Sequence, residues 1–251
     1  VTRRLELIAL PGLPMVEPGD DLAGIISDGL ERAGTGLEAG DILVVAQKIV
    51  SKAEGRYAFP AETTPSPDAK RLAALTHKDP THVEILLEET AEIVRHRPGV
   101  VVVEHRLGHV MANAGIDHSN IEAGRLLLLP RDPDASARGL RAALAERWGI
   151  APGVIVSDSF GRAWRVGTCG VAIGIAGLPA IDDRRGEPDL FGQPLEVTIV
   201  GQADEIAAAA SILQGQADEA TPVVLVRGLS LPEDDSGVGP LLRDRATDLF
   251  R

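Results

Sequence analysis

Cysteine is almost missing from this chain. Cys169 is the single one in 251 residues, which excludes an internal disulfide and any zinc site built from thiolates. Aromatic residues are nearly as scarce, at 3%, so few rings are on hand to stack on a base or a flavin. A cofactor pocket would have to be built mostly from aliphatics and backbone. No apolar run approaches the ~20 residues of a membrane-spanning helix. There is no G-x-x-x-x-G-K-[ST] phosphate loop, so a nucleotide site would be assembled some other way. Positive charge is also short. A net charge of −12 speaks against nucleic acid and anionic membrane as partners, because both want a basic face. Small phosphorylated ligands stay open, since divalent ions and a few local Lys and Arg residues can hold them. The chain moves from Val1 straight into an alternating strand pattern without a signal peptide, and the expected location is cytoplasmic.

What is present is an ordinary globular composition, 44% hydrophobic and 25% charged, with enough chain for a full core. No repeat or linker forces a division, so 1–251 is read as one unit, with room for two subdomains. Short apolar runs at residues 5–10, 41–46, 99–104, 125–130, 153–156, 171–174, 195–200 and 222–226 read as strands. Helices are expected after Asp20-Asp21, through 71–75, over 81–94, over 137–148 behind Asp132-Pro-Asp134, and over 205–213 with Asp204 as cap. The fold class expected is mixed α+β, with several short buried strands and intervening helices. Gly34-Thr-Gly36 looks like a dinucleotide loop but precedes a strand instead of following one, so it is set aside.

Chemistry concentrates in a few stretches. Ser157-Asp158-Ser159 closes the 153–156 run, and Arg162, Trp164 and Arg165 follow among glycines. A carboxylate and hydroxyls beside two guanidinium groups suit a metal ion and the phosphate it neutralises; the bland alternative is a solvated loop with surface ion pairs. Gln47, Lys48 and Lys52 follow the 41–46 strand and read as lysine stems over apolar surface or as a phosphate clamp. His105, His109 and His118 have no Cys partner and read as surface or core histidines. Asn113, Asp117 and Asn120 offer amide and carboxylate oxygens suited to Mg²⁺ or Mn²⁺.

In order along the chain, VVAQKIVSKAEGR, NAGIDHSN, LLPRDPDASA, SDSFGRAWRVG, ADEIAAAA and GQADEATPVVLVRG resemble the coenzyme F420-0:L-glutamate ligase family, the gamma-glutamyl ligases that finish a deazaflavin coenzyme. The resemblance runs from about Leu7 to about Gly228 and matches the stand-alone form, without the nitroreductase-like domain fused to some members. It implies a family-specific α+β fold distinct from the Rossmann sheet, and an intertwined homodimer. It also implies GTP-dependent addition of L-glutamate to F420-0 through an acyl phosphate, then of gamma-linked glutamate. The nucleotide site implied is Leu13, Pro14, Met15 and Val16, then Gln47, Lys48, Lys52 and Asn120, then Gln214, Gly215, Gln216, Ala217, Asp218, Glu219, Ala220 and Thr221. Two Mg²⁺ or Mn²⁺ ions are implied, one on Asp117 and Asp158 and one on Ser159 and Gln216, with K⁺ as a further candidate. Members often carry Ser-Thr or Ser-Lys where this chain has Gln47-Lys48, and Thr where it has Ser159. Because every reactant is anionic, Lys52, Arg162 and Arg165 are assigned from their charge to the catalytic clamp. Two other readings use the same residues: a metal-dependent phosphohydrolase, and a non-catalytic module that binds nucleotide or F420.

Overall fold

The computed structural model describes residues 4–250; Val1, Thr2 and Arg3, which open the alternating N-terminal pattern, and Arg251 lie outside the described residues. In chain order the elements are β1 (Glu6–Ala9), α1 (Leu22–Arg32), β2 (Ile42–Ala46), α2 (Gln47–Ala53), β3 (Tyr57–Ala58), α3 (Pro67–Thr76), α4 (Pro80–Glu88), β4 (Thr90–Arg97), β5 (Val100–His105) and β6 (Val110–Ala112). They continue with β7 (Leu126–Leu127), α5 (Pro133–Trp148), β8 (Gly153–Arg162), β9 (Arg165–Ala176), β10 (Asp182–Asp183), β11 (Ile199–Val200), α6 (Gln202–Gln214) and β12 (Val223–Arg227). The class is α+β, as expected.

Five strands form the main sheet in the order β1-β12-β2-β8-β9. Only the β2–β8 pair is parallel. The apolar strands alternate cleanly between two cores, because successive side chains point to opposite faces. Leu43, Val45, Val154, Val156, Val223 and Leu225 pack on one side against Ile26 and Leu30 of α1, Val50 of α2 and Leu144 of α5. Ile42, Val44, Ile155, Val224 and Val226 pack on the other against Ala203, Ile206, Ala207 and Ala210 of α6. Strands covered on both faces read as continuous apolar runs, which is why the sequence showed them.

Between α2 and α5 the chain makes a smaller unit. Its three-stranded sheet runs β4-β5-β6, and β3 pairs with β7. Its own core joins Leu72, Val83, Leu86, Val101 and Val103.

Several expectations are corrected. The helix expected over 81–94 ends with α4 at Glu88, and the chain continues as β4, paired antiparallel with β5. Ala91 and Val94 kept the helical spacing, but Thr90, Ile93 and Val94 are β-branched and face the most strand-like run in the chain. The run 125–130 holds only β7, and 195–200 only β11. Asp204 does not cap α6, whose N-cap is Gly201; Asp21 and Asp132 do cap α1 and α5. The largest correction is at Ser157-Asp158-Ser159. The strand does not stop there. It runs on to Arg162, paired with β9 as a long ribbon whose outer half is exposed and polar, hence loop-like in sequence.

Candidate active site

β2 and β8 run side by side and in parallel, with Ala46 opposite Ser157. β2 ends there while β8 runs on, so Gln47 and Asp158, the next residue of each chain segment, come to one place. Gln47 opens α2 and is buried. One helical turn on, Ser51 donates its hydroxyl to Gln47 Oε1 at 2.9 Å. That fixes the amide, so Nε2 faces the carboxylates and donates to Asp117 Oδ2 at 2.9 Å. The same amide also lies close enough to Asp158 to favour its charged form. Gln47 thus sits between the two acids.

Asp117 arrives from the smaller unit. Asn113, Ala114 and Gly115 take left-handed φ of 51°, 54° and 64°, a sharp reversal after β6. Asp117 then pairs with Leu127 of β7 in an isolated bridge, which ties it to the base of that unit. Lys48 Nζ lies 2.7 Å from Asp117 Oδ2 and donates to Ser119 Oγ at 3.1 Å. Asp158 is partly buried and has no ion pair as close. Burial first, then repulsion from Asp117, pushes its carboxyl pKa up to about 6, against the pull of the Ser159 backbone, Lys48 and the Gln47 amide.

Lys52 is 8% exposed, and its ammonium donates to the carbonyl of Asn120 at 3.0 Å. Burial pulls its pKa down, Glu17 pushes it back up, and Lys48 lowers it again. Asn120, in a left-handed conformation at φ 57°, sends its own amide to Ala217 O at 3.1 Å. One residue thus joins the α2 lysine to the loop over residues 214–221. That loop is anchored at its start by Gln214, which meets Ser157 Oγ at 3.4 Å and Pro222 O at 3.3 Å. Thr221 closes it, donating to Leu213 O at 2.7 Å. Ala217 N–H is held by Glu219 Oε2 at 2.8 Å. Gly215, Gln216, Asp218 and Ala220 complete the loop, and Gln216 is exposed.

The turn holding Leu13, Pro14, Met15 and Val16 closes the remaining side. Val16 is buried in the core and Leu13 packs on it, while Met15 is 73% exposed. Gly19 N–H donates to Ala53 O at 2.8 Å, fastening the turn to the end of α2 beside Lys52. Ser159 adjoins Asp158 on a strand, so its hydroxyl points to the opposite face, the face of Ser157 and the 214–221 loop.

Arg162 and Arg165 are not brought to this cluster within the chain. They face each other at the exposed ribbon tip, about 13 Å beyond Asp158 along an extended strand. The histidines make no metal centre: His105 and His109 are buried, His118 is exposed, and no three His, Cys, Asp or Glu side chains among the described residues are grouped for a metal. Sequence reading missed Ser51 and Glu17, whose neutral or common side chains give no signal until the fold sets them beside Gln47 and Lys52.

Two carboxylates joined through Gln47, two lysines and the 214–221 loop thus come together beside the parallel β2–β8 pair, the kind of polar cluster that marks a candidate enzyme site. Known proteins narrow this. The family described as F420-0:Gamma-glutamyl ligase matches residues 12–228. The coenzyme F420:L-glutamate ligase of Methanothermobacter thermautotrophicus is 49% identical over 249 residues, covering 98% of this chain and 99% of that protein. Its counterpart in Methanopyrus kandleri is 47% identical over 255 residues, covering 100% and 98%, and that of Archaeoglobus fulgidus is 43% identical over 248, covering 99% and 97%. The chain belongs to the F420-0:gamma-glutamyl ligase family.

Proposed function

We propose that this protein is a ligase that joins L-glutamate to coenzyme F420-0 at the expense of GTP, and then adds gamma-linked glutamate. The observation that carries the reading is the convergence of Gln47, Lys48, Lys52, Asp117, Asp158 and the 214–221 loop from four separate parts of the chain.

A carboxylate does not react with an amine, because oxide is a hopeless leaving group. An oxygen of the F420-0 carboxylate would therefore attack the γ-phosphorus of GTP, and GDP would leave. The glutamate amine would then attack the acyl carbon, phosphate would leave with the C–O electrons, and the amine would shed a proton to solvent. Lys48 and Lys52 would hold phosphate oxygens, Lys52 from a buried position that keeps its charge undiluted by water. Asn120 and the loop at Ala217 would close around the nucleotide, and the turn at Leu13 to Val16 would limit its far end. The loop offers the amide of Gln216, while its carboxylates Asp218 and Glu219 would need cations beside any bound phosphate.

The donor set fits divalent cations. Asp158 sits where its charge is disfavoured by burial and by Asp117, a conflict a cation between them would relieve. Asp117 and Asp158 would hold one Mg²⁺ or Mn²⁺, and Ser159 and Gln216 a second, all through hard oxygens. Bound there, such ions would neutralise phosphate charge and polarise the phosphoryl group. The ribbon around Trp164 and Val166 and the loop holding Leu190 and Phe191 leave apolar side chains at 88%, 101%, 100% and 90% exposure. Large apolar side chains left this exposed support a homodimer, in which Arg162 and Arg165 would reach a site from a partner copy.

Purified protein incubated with F420-0, L-glutamate, GTP and Mn²⁺ tests the reading. Phosphate release that requires glutamate, with a mass gain in the deazaflavin, is expected. Glutamate-independent release would instead make it a phosphohydrolase, and binding without turnover a non-catalytic module. Light scattering should report a dimer that Val166→Asp converts to monomer.

A further inference from the structure

The ADEIAAAA run folds as the start of α6, yet none of its residues takes part in the site. Its aspartate does something other than cap the helix. Asp204 Oδ1 accepts the N–H of Ala172, in β9, at 2.9 Å. On β9 the register with β8 shifts at this point: Val156 faces Gly174, but Ser157 faces Ala172, leaving Ile173 as an extra residue. From the far side of the shift, Asp134 Oδ1 accepts the N–H of Ile175 at 2.7 Å. In a regular strand, amides three residues apart point to opposite edges. Here both are taken by carboxylates from helix first turns, which the bulge makes possible. Bulges of this kind re-aim the side chains beside them. Directly across lie Ser157 and then Asp158.

α6 is also locked to β9 without intervening side chains. A Cβ on Gly170 would lie 2.5 Å from the carbonyl oxygen of Ala207, so strand and helix backbones are in direct contact. The same helix ends at Gln214, whose side chain meets Ser157 and begins the 214–221 loop. One bond at the start of α6 therefore bears on both sides of the site: the strand that aims Asp158, and the helix that carries the loop.

We propose that Asp204 is a positioning residue for ligation, holding the β9 bulge so that Asp158 faces Asp117. The proposal rests on the reading of Asp158 as part of the reaction site.

The test compares full-length Asp204→Asn, Asp204→Ala and Asp158→Asn with the unaltered protein in glutamate ligation, and follows amide hydrogen exchange at Ala172. Asp204→Asn keeps an acceptor oxygen and should hold kcat within about threefold. Asp204→Ala should lower kcat per folded molecule by about 30-fold or more, with KM for glutamate within about twofold, since small misplacements of reacting groups cost about this much. Exchange at Ala172 should quicken by about tenfold or more in Asp204→Ala only. If Asp204→Ala does not fold, Asp204→Glu keeps the charge but displaces the acceptor, and about a tenfold fall in kcat is expected of it. Unchanged kcat in folded Asp204→Ala or Asp204→Glu, with Asp158→Asn inactive, overturns this proposal alone. Full turnover in Asp158→Asn overturns the site reading and this proposal with it.

Discussion

Glu89 and Asp158 are both withdrawn from water, Glu89 fully and Asp158 in part, and the molecule treats the two carboxylates in opposite ways. Glu89, at the end of α4, is 5% exposed. It receives Arg56 at 3.1 Å and Arg106 at 2.6 Å, with His105 Nε2 at 3.3 Å. His105 Nδ1 accepts the Leu107 N–H, so its proton sits on Nε2, toward the acid. Burial alone would raise the Glu89 pKa, but His105, Arg56 and Arg106 together hold it below the usual range. Asp158 faces another carboxylate, and burial and Asp117 hold it up at about 6. A satisfied carboxylate is a joint: through Arg56, whose Nε donates to Leu129 O at 2.8 Å, Glu89 fastens α4 to the segment between β7 and α5. A carboxylate kept in conflict gains from any cation brought beside it, and the proposed function gives it that part.

The comparison can be broken most sharply at Asp158. Asp158→Asn should cut glutamate ligation by about 10³-fold, as expected when electrostatic stabilisation of a phosphoryl group is lost. In metal-free protein the same change should raise stability by about 2 kcal/mol, read from denaturant midpoints at neutral pH. The sign follows from a folded pKa near 6 against an ordinary 3.8: ionised Asp158 opposes folding above pH 6, and the penalty fades as pH falls from 6 toward 3.8. Glu89→Gln should do the reverse, costing about 3 kcal/mol by leaving buried cations unmatched, while turnover per folded molecule changes little.

His109 sharpens the contrast with a buried base. It is 5% exposed and meets Phe160 of β8 edge-on at 5.9 Å. Burial is the main reason its pKa falls to about 4, with His105 adding to the fall and the Ile173 backbone opposing it. A neutral folded histidine favours folding above the ordinary 6.5, and that contribution is lost as pH drops from 6.5 toward 4. We expect acidification across that window to cost about 2–3 kcal/mol more in the unaltered protein than in His109→Leu, measured by urea midpoints. The smallest effect belongs to Lys52→Ala, which should raise KM for GTP by about tenfold and alter kcat less. A purely structural lysine would leave that KM untouched.

The main sheet was legible because its strands are apolar on both faces, so residues 42–46, 153–156 and 223–226 stand out in any reading. The outer half of β8 and β9 was not, because its pairing is carried by backbone bonds while its side chains face solvent. β4 was hidden by residues that satisfied helical spacing as well. Within the site, Asp117, Asp158 and Lys52 were visible through the family's motifs, and the structure brings them together. Gln47 as the amide between two acids, and Asp204 as the hand on the bulge, were invisible for one reason. Both act through contacts between residues far apart in sequence, Gln47 to Asp117 and Asp204 to Ala172, which no local pattern encodes.

The central claim is that an inert carboxylate is primed by phosphoryl transfer at the Asp117–Asp158 site. F420-0 labelled with heavy oxygen in its carboxylate tests it most directly, with the released phosphate analysed by mass after one round of ligation. One labelled oxygen carried into each phosphate is the expected result, and its loss in Asp158→Asn should follow the loss of product. Ligation that proceeds while the phosphate stays unlabelled would contradict the account.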